Sequence, residues 1–258
     1  MNQGVIEMQI WQFSLIYLLL LIVLYIMKKC QMQQSKLLVL ASVRMTAQLT
    51  LAGLLLTYIF KNPHPVLTLG YIFSMIGFAI YRVLSQNPTL NQKFKTIIAL
   101  SIAFSGLFVV AFFIYIVIGE SIFNPQYIIP IAGSIMGNTM TGTALGVKAF
   151  REAFNGQKAK INALLNIGAP PQKILLPFVR QALETALLPT LNSMIGMGIV
   201  SLPGMMTGQI LSGTLPTTAI LYQIALMIAI CSVICLSAFG SLYFGHKTMY
   251  NDKNQIIL

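Results

Sequence analysis

Seven stretches of this sequence are apolar over the length needed to cross a bilayer: roughly residues 9–27, 37–60, 66–84, 97–118, 127–147, 183–203 and 218–244. A membrane-spanning helix needs about 20 mostly apolar residues, and seven of them leave little chain for anything else. Composition closes off the alternative. Asp, Glu, Lys and Arg make up 8% of the 258 residues, against about 25% in a soluble domain. Sixteen cations and five anions cannot cover a water-soluble surface. The expected fold is therefore all-α: a polytopic integral membrane protein forming a single transmembrane domain over 1–258. The first stretch has the apolarity of a signal peptide. However, no basic residue precedes it, Lys28 and Lys29 follow it, and it has no clear small-residue cleavage site. It is read as an uncleaved first helix.

The net charge of +11 would suggest nucleic acid in a soluble chain. Here it reads as cytoplasmic connections enriched in Lys and Arg, with no nucleic-acid partner. With the N-terminus outside, the inner segments hold Lys28, Lys29 and Lys36, then Arg82, Lys93 and Lys95. They also hold Lys148, Arg151, Lys158, Lys160, Lys173 and Arg180, and finally Lys247 and Lys253. Fourteen of the sixteen basic residues then lie inside, Lys61 lies outside and Arg44 falls within a span. The expectation is N-out, C-in in the cell's inner (plasma) membrane. Cys30, Cys231 and Cys235 form no disulfide framework. No phosphate loop, dinucleotide fingerprint or zinc-protease motif occurs, and His64 and His246 are far apart. The chain is read as a non-enzyme with no cofactor of its own.

The longest non-spanning stretch is 148–182. Phe150, Ala153, Phe154, Ile161, Leu164, Leu165 and Gly168 recur at helical steps, with Lys148, Arg151, Glu152, Lys158 and Lys160 mostly elsewhere on the wheel. This is an amphipathic helix, interrupted near Gly156. A tight turn, Gly168-Ala169-Pro170-Pro171, follows it. A second helix begins after the turn, and Pro177 bends it or marks its start. Two readings stay open: a helix lying on anionic lipid, or a docking element that carries motion from a cytoplasmic partner.

Polar groups inside the spans mark candidate functional positions. Arg44, with Gln48 one turn on, either snorkels to the headgroups or pairs within the membrane. Glu184 is a candidate partner, although Arg180, four residues before it, is another. In the fifth span Gly133, Gly137 and the small residues around them suggest close helix contact. Asn138, Thr139, Thr141 and Thr143 add hydrogen-bonding groups, either as interhelical glue or, with Asn192 and Ser193, as the wall of a path. Pro203 and Gly204, with Gln209 just beyond, interrupt the sixth span near its outer end. Such breaks are tolerated where freed backbone faces protein or water, and they often form transporter sites. Met194, Met197, Met205 and Met206 cluster on this segment. Thioethers suit soft metals but also serve as adaptable packing. Cys231 and Cys235, one turn apart, are read the same two ways.

At these residues the chain resembles a known family. NSMIGMGIVSLPGMMTGQILSG at 192–213, IIPIAGSIMGNTM at 128–140, RMTAQL at 44–49 and ALLNIGAPPQKILLPFVRQALETALLPTLN at 163–192 are similar to the corresponding segments of a group of bacterial and plant membrane proteins. Its members include the permease subunit of an iron-export ABC transporter and the plant aluminium-tolerance half-transporters. The resemblance implies an ABC transporter permease that works as a homodimer with a separate ATP-binding subunit, ATP and Mg being held by that partner. It implies a coupling element over 162–171, carried by Asn162, Ala163, Leu164, Gly168, Ala169 and Pro170. This element is also loosely similar to the Glu-Ala-Ala, three residues, Gly pattern of ABC importers. The acid is replaced by Asn162 and the spacing from Gly168 to Pro177 is shorter, so only the position carries over. Iron export, and metal homeostasis with it, rests on the resemblance alone, because the spans lack the carboxylates and histidines that usually hold Fe(II). The contrasting reading is a secondary transporter or channel without an ATPase, for which Glu184 is the one candidate coupling acid.

Overall fold

The computed structural model describes residues 9–250; the expected inner residue Lys253 lies outside the described residues. The chain is helical almost throughout: α1 (Ile10–Lys29), α2 (Ser35–Lys61), α3 (Pro65–Ser85), α4 (Gln92–Phe112), α5 (Pro125–Gly156), α6 (Lys158–Asn166), α7 (Pro171–Gly196), α8 (Gly204–Leu211) and α9 (Pro216–Phe239). α4 runs on through a π-helical turn, Phe113–Ile118, and α9 through another, Gly240–Phe244. Among the described residues, six helices are long and apolar enough to cross a membrane: α1, α2, α3, α4 with its extension, α7, and α9 with its extension. The protein is thus an all-α, multi-pass membrane protein. The expected span at 127–147 falls on α5, which has 32 residues but is interspersed with Gly, Ser, Thr and Asn.

Local chemistry sets the helix starts. Proline stands at the first helical position of α3, α5, α7 and α9, where its missing N–H costs nothing and its φ suits the helix. Side chains cap three of the starts. His64 Nδ1 accepts from the Val66 amide, Asn91 Oδ1 from the Phe94 amide at 2.7 Å, and Asn124 Oδ1 from the Gln126 amide.

α5 is the centre of the bundle, packed on α3, α4, α7 and α9. Lipid offers no hydrophobic drive for helix association, so close packing of small residues has to supply it. A Cβ on Gly142 would meet the Ile234 side chain at 2.6 Å, and one on Gly146 would meet Ala186 Cβ at 3.1 Å and the Ala182 carbonyl at 3.3 Å. Those glycines let α9 and α7 approach. The sequence pointed instead to Gly133 and Gly137. Gly133 does face Met75 of α3, but Gly137 has nothing within 4 Å of a built Cβ. The small-residue register continues along α5, and its tight contacts fall two turns further on.

A second correction concerns the sixth span, expected at 183–203. The helix starts earlier, at Pro171, and ends earlier, at Gly196. Pro177 lies inside it, as does Pro189. The break is therefore a separate segment, 197–203, and Pro203 caps the following short helix α8. At the far end of the bundle the chain after α9 turns back under α4: Asn91 Nδ2 donates to the Thr248 carbonyl at 2.9 Å.

The α1–α2 hairpin stands apart. No residue of α1 is buried, and in α2 only Ile59 is. The two helices hold to each other, with Tyr17 and Thr46 hydroxyls 2.6 Å apart.

Candidate functional site

A cavity of about 430 Å³ opens between α5, α7, the 197–203 segment, α8 and α9. Its wall is a mixture. α5 contributes Ser134, Asn138 and Thr141, α7 contributes Thr190 and Ser193, and α9 contributes Gln223. Between them lie apolar side chains and three thioethers, Met197, Met205 and Met227. Among the described residues, no charged side chain lines it.

Each polar group is placed by its helix. Asn138 and Thr141 sit on the uncovered face of α5 and are steadied by their own backbone. Asn138 Nδ2 donates to the Ser134 carbonyl at 2.8 Å, and Thr141 Oγ1 to the Gly137 carbonyl at 3.0 Å. Asn138 Oδ1 is left as an acceptor. Gln223 is 5% exposed, and its Oε1 has no hydrogen-bond partner. A buried amide oxygen without a partner is costly, and in a native structure such an atom calls for an explanation. The position of Gln223 in the cavity wall provides one, since a bound molecule or water there would satisfy it.

The 197–203 segment closes one side. Gly198 has φ +83°, a conformation that side chains resist. Its N–H donates to the Ser201 carbonyl at 2.9 Å, while the Val200 N–H donates to the Gly196 carbonyl at 2.9 Å. The break thus satisfies part of its own backbone, as a non-helical segment between membrane helices must. It leaves Ile199 and Val200 at its tip 90% and 85% exposed.

Seven of the residues singled out from sequence meet in this cavity: Asn138, Thr141, Ser193, Met197, Pro203, Gly204 and Met205. Others lie elsewhere. Arg44, Gln48, Glu184 and Asn192 are exposed on the outer faces of α2 and α7. Met206 is buried, Met194 does not line the wall, and Gln209 has its Oε1 buried without a partner outside the wall. Thr143 pairs with the Ser237 hydroxyl at 2.9 Å, and Thr139 returns to the Ile135 carbonyl at 2.7 Å. Both stay inside the bundle as glue. Sequence reasoning missed Gln223, Thr190 and Met227. Gln223 is a lone amide in an otherwise apolar span, and that isolation was the available signal. Among the described residues, no three of His, Cys, Asp or Glu come together. Arg44 and Glu184 form no ion pair within the chain; the pair present among the described residues is Lys148–Glu152.

The stretch singled out for docking forms α6 and a turn. Gly168 has φ +83°, and its N–H donates to the Leu165 carbonyl at 2.9 Å. Ile161 is buried and Leu164 and Leu165 half-buried, which ties α6 to the bundle, while Asn162, Ala163, Gly168 and Pro170 are exposed and Ala169 is partly covered. Ile167, which the sequence reading passed over, is 79% exposed at the tip of the turn.

Comparison with known proteins gives this architecture a setting. A family model described as an uncharacterised protein family, UPF0014, matches residues 10–250. The UPF0014 membrane protein YjkA of Bacillus subtilis is 27% identical, over 93% of this chain and 98% of its own length. The probable iron export permease protein FetB of Escherichia coli is 30% identical, over 83% of this chain and 82% of its own. The Arabidopsis thaliana protein ALUMINUM SENSITIVE 3 is 31% identical, over 81% of this chain and 76% of its own. No solved structure matches. The chain belongs to the UPF0014 family of membrane proteins.

Proposed function

We propose that this chain is the transmembrane permease subunit of an ABC transporter of the plasma membrane, acting as a homodimer with a separate subunit that binds Mg-ATP. α5 serves as a further crossing, which makes seven spans with the N-terminus outside and the C-terminus inside. The observation that carries this reading is a continuous connection. α7 begins directly after the exposed turn at 167–170 and ends in the wall of the cavity, contributing Pro189, Thr190 and Ser193. A partner that moves the turn therefore moves the cavity wall. Asn162, Ala163, Leu164, Gly168, Ala169 and Pro170, with Ile167 at the tip, form the docking element. Alternating access follows when ATP closes the partner's domains and the turn moves with them.

The cargo passes the wall formed by Asn138, Ser193, Gln223 and the three thioethers. A wall without charge suits a solute whose own charge is masked or absent, and it gives a bare hard cation no counter-charge. Iron export is the function named for the Escherichia coli relative; here a chelated metal ion is the form of iron that this wall accommodates. Moving one elementary charge against the membrane potential costs about 2.3 kcal/mol per 100 mV, which ATP hydrolysis by a partner can supply.

The test is ATP hydrolysis by the candidate partner reconstituted in lipid with this chain, wild type or Ile167→Asp, while iron chelates and other solutes are titrated. The expected result is solute-stimulated hydrolysis that Ile167→Asp abolishes without loss of folded protein. Absence of a complex and of stimulation would return the cavity to a secondary transporter.

A further inference from the structure

Two exposed stripes of polar side chains are left unexplained by the cavity. One runs along α2 through Arg44 and Gln48, the other along α7 through Gln181, Glu184 and Asn192. Lipid is a poor neighbour for both, since intramembrane ionisable groups normally pair or face water. Arg44 has only the Phe78 ring, 5.5 Å from its guanidinium carbon.

We infer that the two stripes bind each other between two copies of this chain, Arg44 of one copy pairing with Glu184 of the other. Charge is the first argument: Arg44 stands without an acid on its stripe, and Glu184, although Arg180 is exposed one turn before it, forms no ion pair with it. Depth is the second. Arg44 lies at the level of Phe78, eight residues before Gln86, or about 12 Å along the axis at 1.5 Å per residue. Arg151 reaches the Gln86 carbonyl, and Gly146, five residues before it, faces Ala182 and Ala186. Glu184 therefore sits about 7.5 Å above the same reference. The difference of about 5 Å is within reach of an arginine side chain. Gln48, one turn beyond Arg44, then lies within about 2 Å of the level of Asn192, two turns beyond Glu184. One register satisfies both pairs.

Direction is the third argument. Gly133 facing Met75 and Arg151 reaching Gln86 make α5 parallel to α3. Gly142 and Gly146 facing Ala186 and Ala182 make α7 antiparallel to α5. α2 is joined to α3 by a short turn and runs antiparallel to it, so α2 and α7 point the same way. A two-fold axis along the bundle preserves helix direction, so each α2 lies parallel to the other copy's α7 and the contact occurs twice, as in an isologous dimer. The burial of Ile59 alone in the hairpin follows: α1–α2 is an arm whose second face belongs to the other copy.

This inference rests on the proposed homodimer and adds its interface, and the experiment separates the two. The chain is prepared with Cys30→Ser, Cys231→Ala and Cys235→Ala. One tagged copy carrying Arg44→Cys is co-expressed with a differently tagged copy carrying Glu184→Cys, and native membranes are treated with a bifunctional maleimide long enough to span an Arg–Glu pair, because two cysteines at that separation are too far apart for a direct disulfide. Dimer mass is measured in parallel, for these chains and for Arg44→Glu, Glu184→Arg and the double reversal. The expected result is a cross-link joining the two tags. Each single reversal lowers the dimer fraction about tenfold, and the double reversal restores it. A dimer that forms without that cross-link, and that ignores the reversals, overturns the interface and leaves the paired permease standing. Dimers that survive single reversals because each side chain snorkels to the headgroups overturn it equally. A monomer throughout overturns both.

Discussion

The α1–α2 hairpin and the bundle around α5 obey opposite rules. α1 is among the most apolar helices and buries nothing, whereas α7 is the least apolar of the six candidate spans and has 39% of its central window buried. In water the apolar helix would be the core. In a membrane, apolarity permits contact with lipid without forbidding burial: the span formed by α4 and its extension is the most apolar of the six and also the most buried, at 44%. Hydropathy therefore locates crossings and says little about which of them form the interior.

The sharpest way to break the contrast is to place the same kind of side chain in both regions. Gly142→Leu drives a branched side chain into Ile234, and overpacking costs about 1–3 kcal/mol. Thermal unfolding in detergent, followed by size-exclusion recovery, is expected to show a clear drop. Ser14→Leu on α1, exposed and bonded only to its own helix, is expected to change recovery by less than about 0.5 kcal/mol. Equal losses at the two sites would dissolve the distinction.

A middle-sized effect separates building from function. Gln223→Leu removes an amide oxygen that has no protein partner, so stability is expected to hold or to rise by about 1 kcal/mol. Solute-stimulated ATPase of the reconstituted complex is expected to shift its half-saturation upward. A stability loss with unchanged solute response would make Gln223 a packing residue. The smallest effect lies in the glue. Removing the Thr143–Ser237 hydroxyl bond by Thr143→Val and Ser237→Ala, singly and together, is expected to give a coupling of about 0.6 kcal/mol, the usual size for such bonds in a membrane bundle. A double-mutant cycle on unfolding reads it directly, and zero coupling would leave shape alone to hold α5 on α9.

Six of the crossings were legible because their lengths follow from bilayer thickness, and the amphipathic segment after residue 148 because its period is helical. α5 was recognisable as a helix despite its Gly, Thr and Asn content, although it is not among the six candidate spans, but which glycines made contact was not legible. Gly133, Gly137, Gly142 and Gly146 look alike in one dimension, and only the positions of α7 and α9 decide between them. The break near Pro203 was found from its proline, yet the helix ends seven residues earlier, at Gly196. The cause is Gly198, whose left-handed backbone folds the chain onto Ser201; the Gly196-Met197-Gly198 spacing carried that signal. Asn138 and Ser193, read together from the sequence, both line the cavity, while Asn192, the neighbour of Ser193 in sequence, does not. One residue of helical rotation, about 100°, separates a wall from an outer surface.

The prolines of α7 give the helix a mechanical character. At about 39 Å it would be a stiff rod if it were continuous. Pro177 and Pro189 remove the amides that would bond the carbonyls of Lys173 and Thr185, and such positions are where helices kink. α7 is thus a shaft with two joints, one close to the 167–170 turn and one at the cavity wall. In the proposed transport cycle, displacement applied at the turn would reach the cavity as a swing about those joints, with the direction of the stroke set by the angle between segments rather than by the line of the helix.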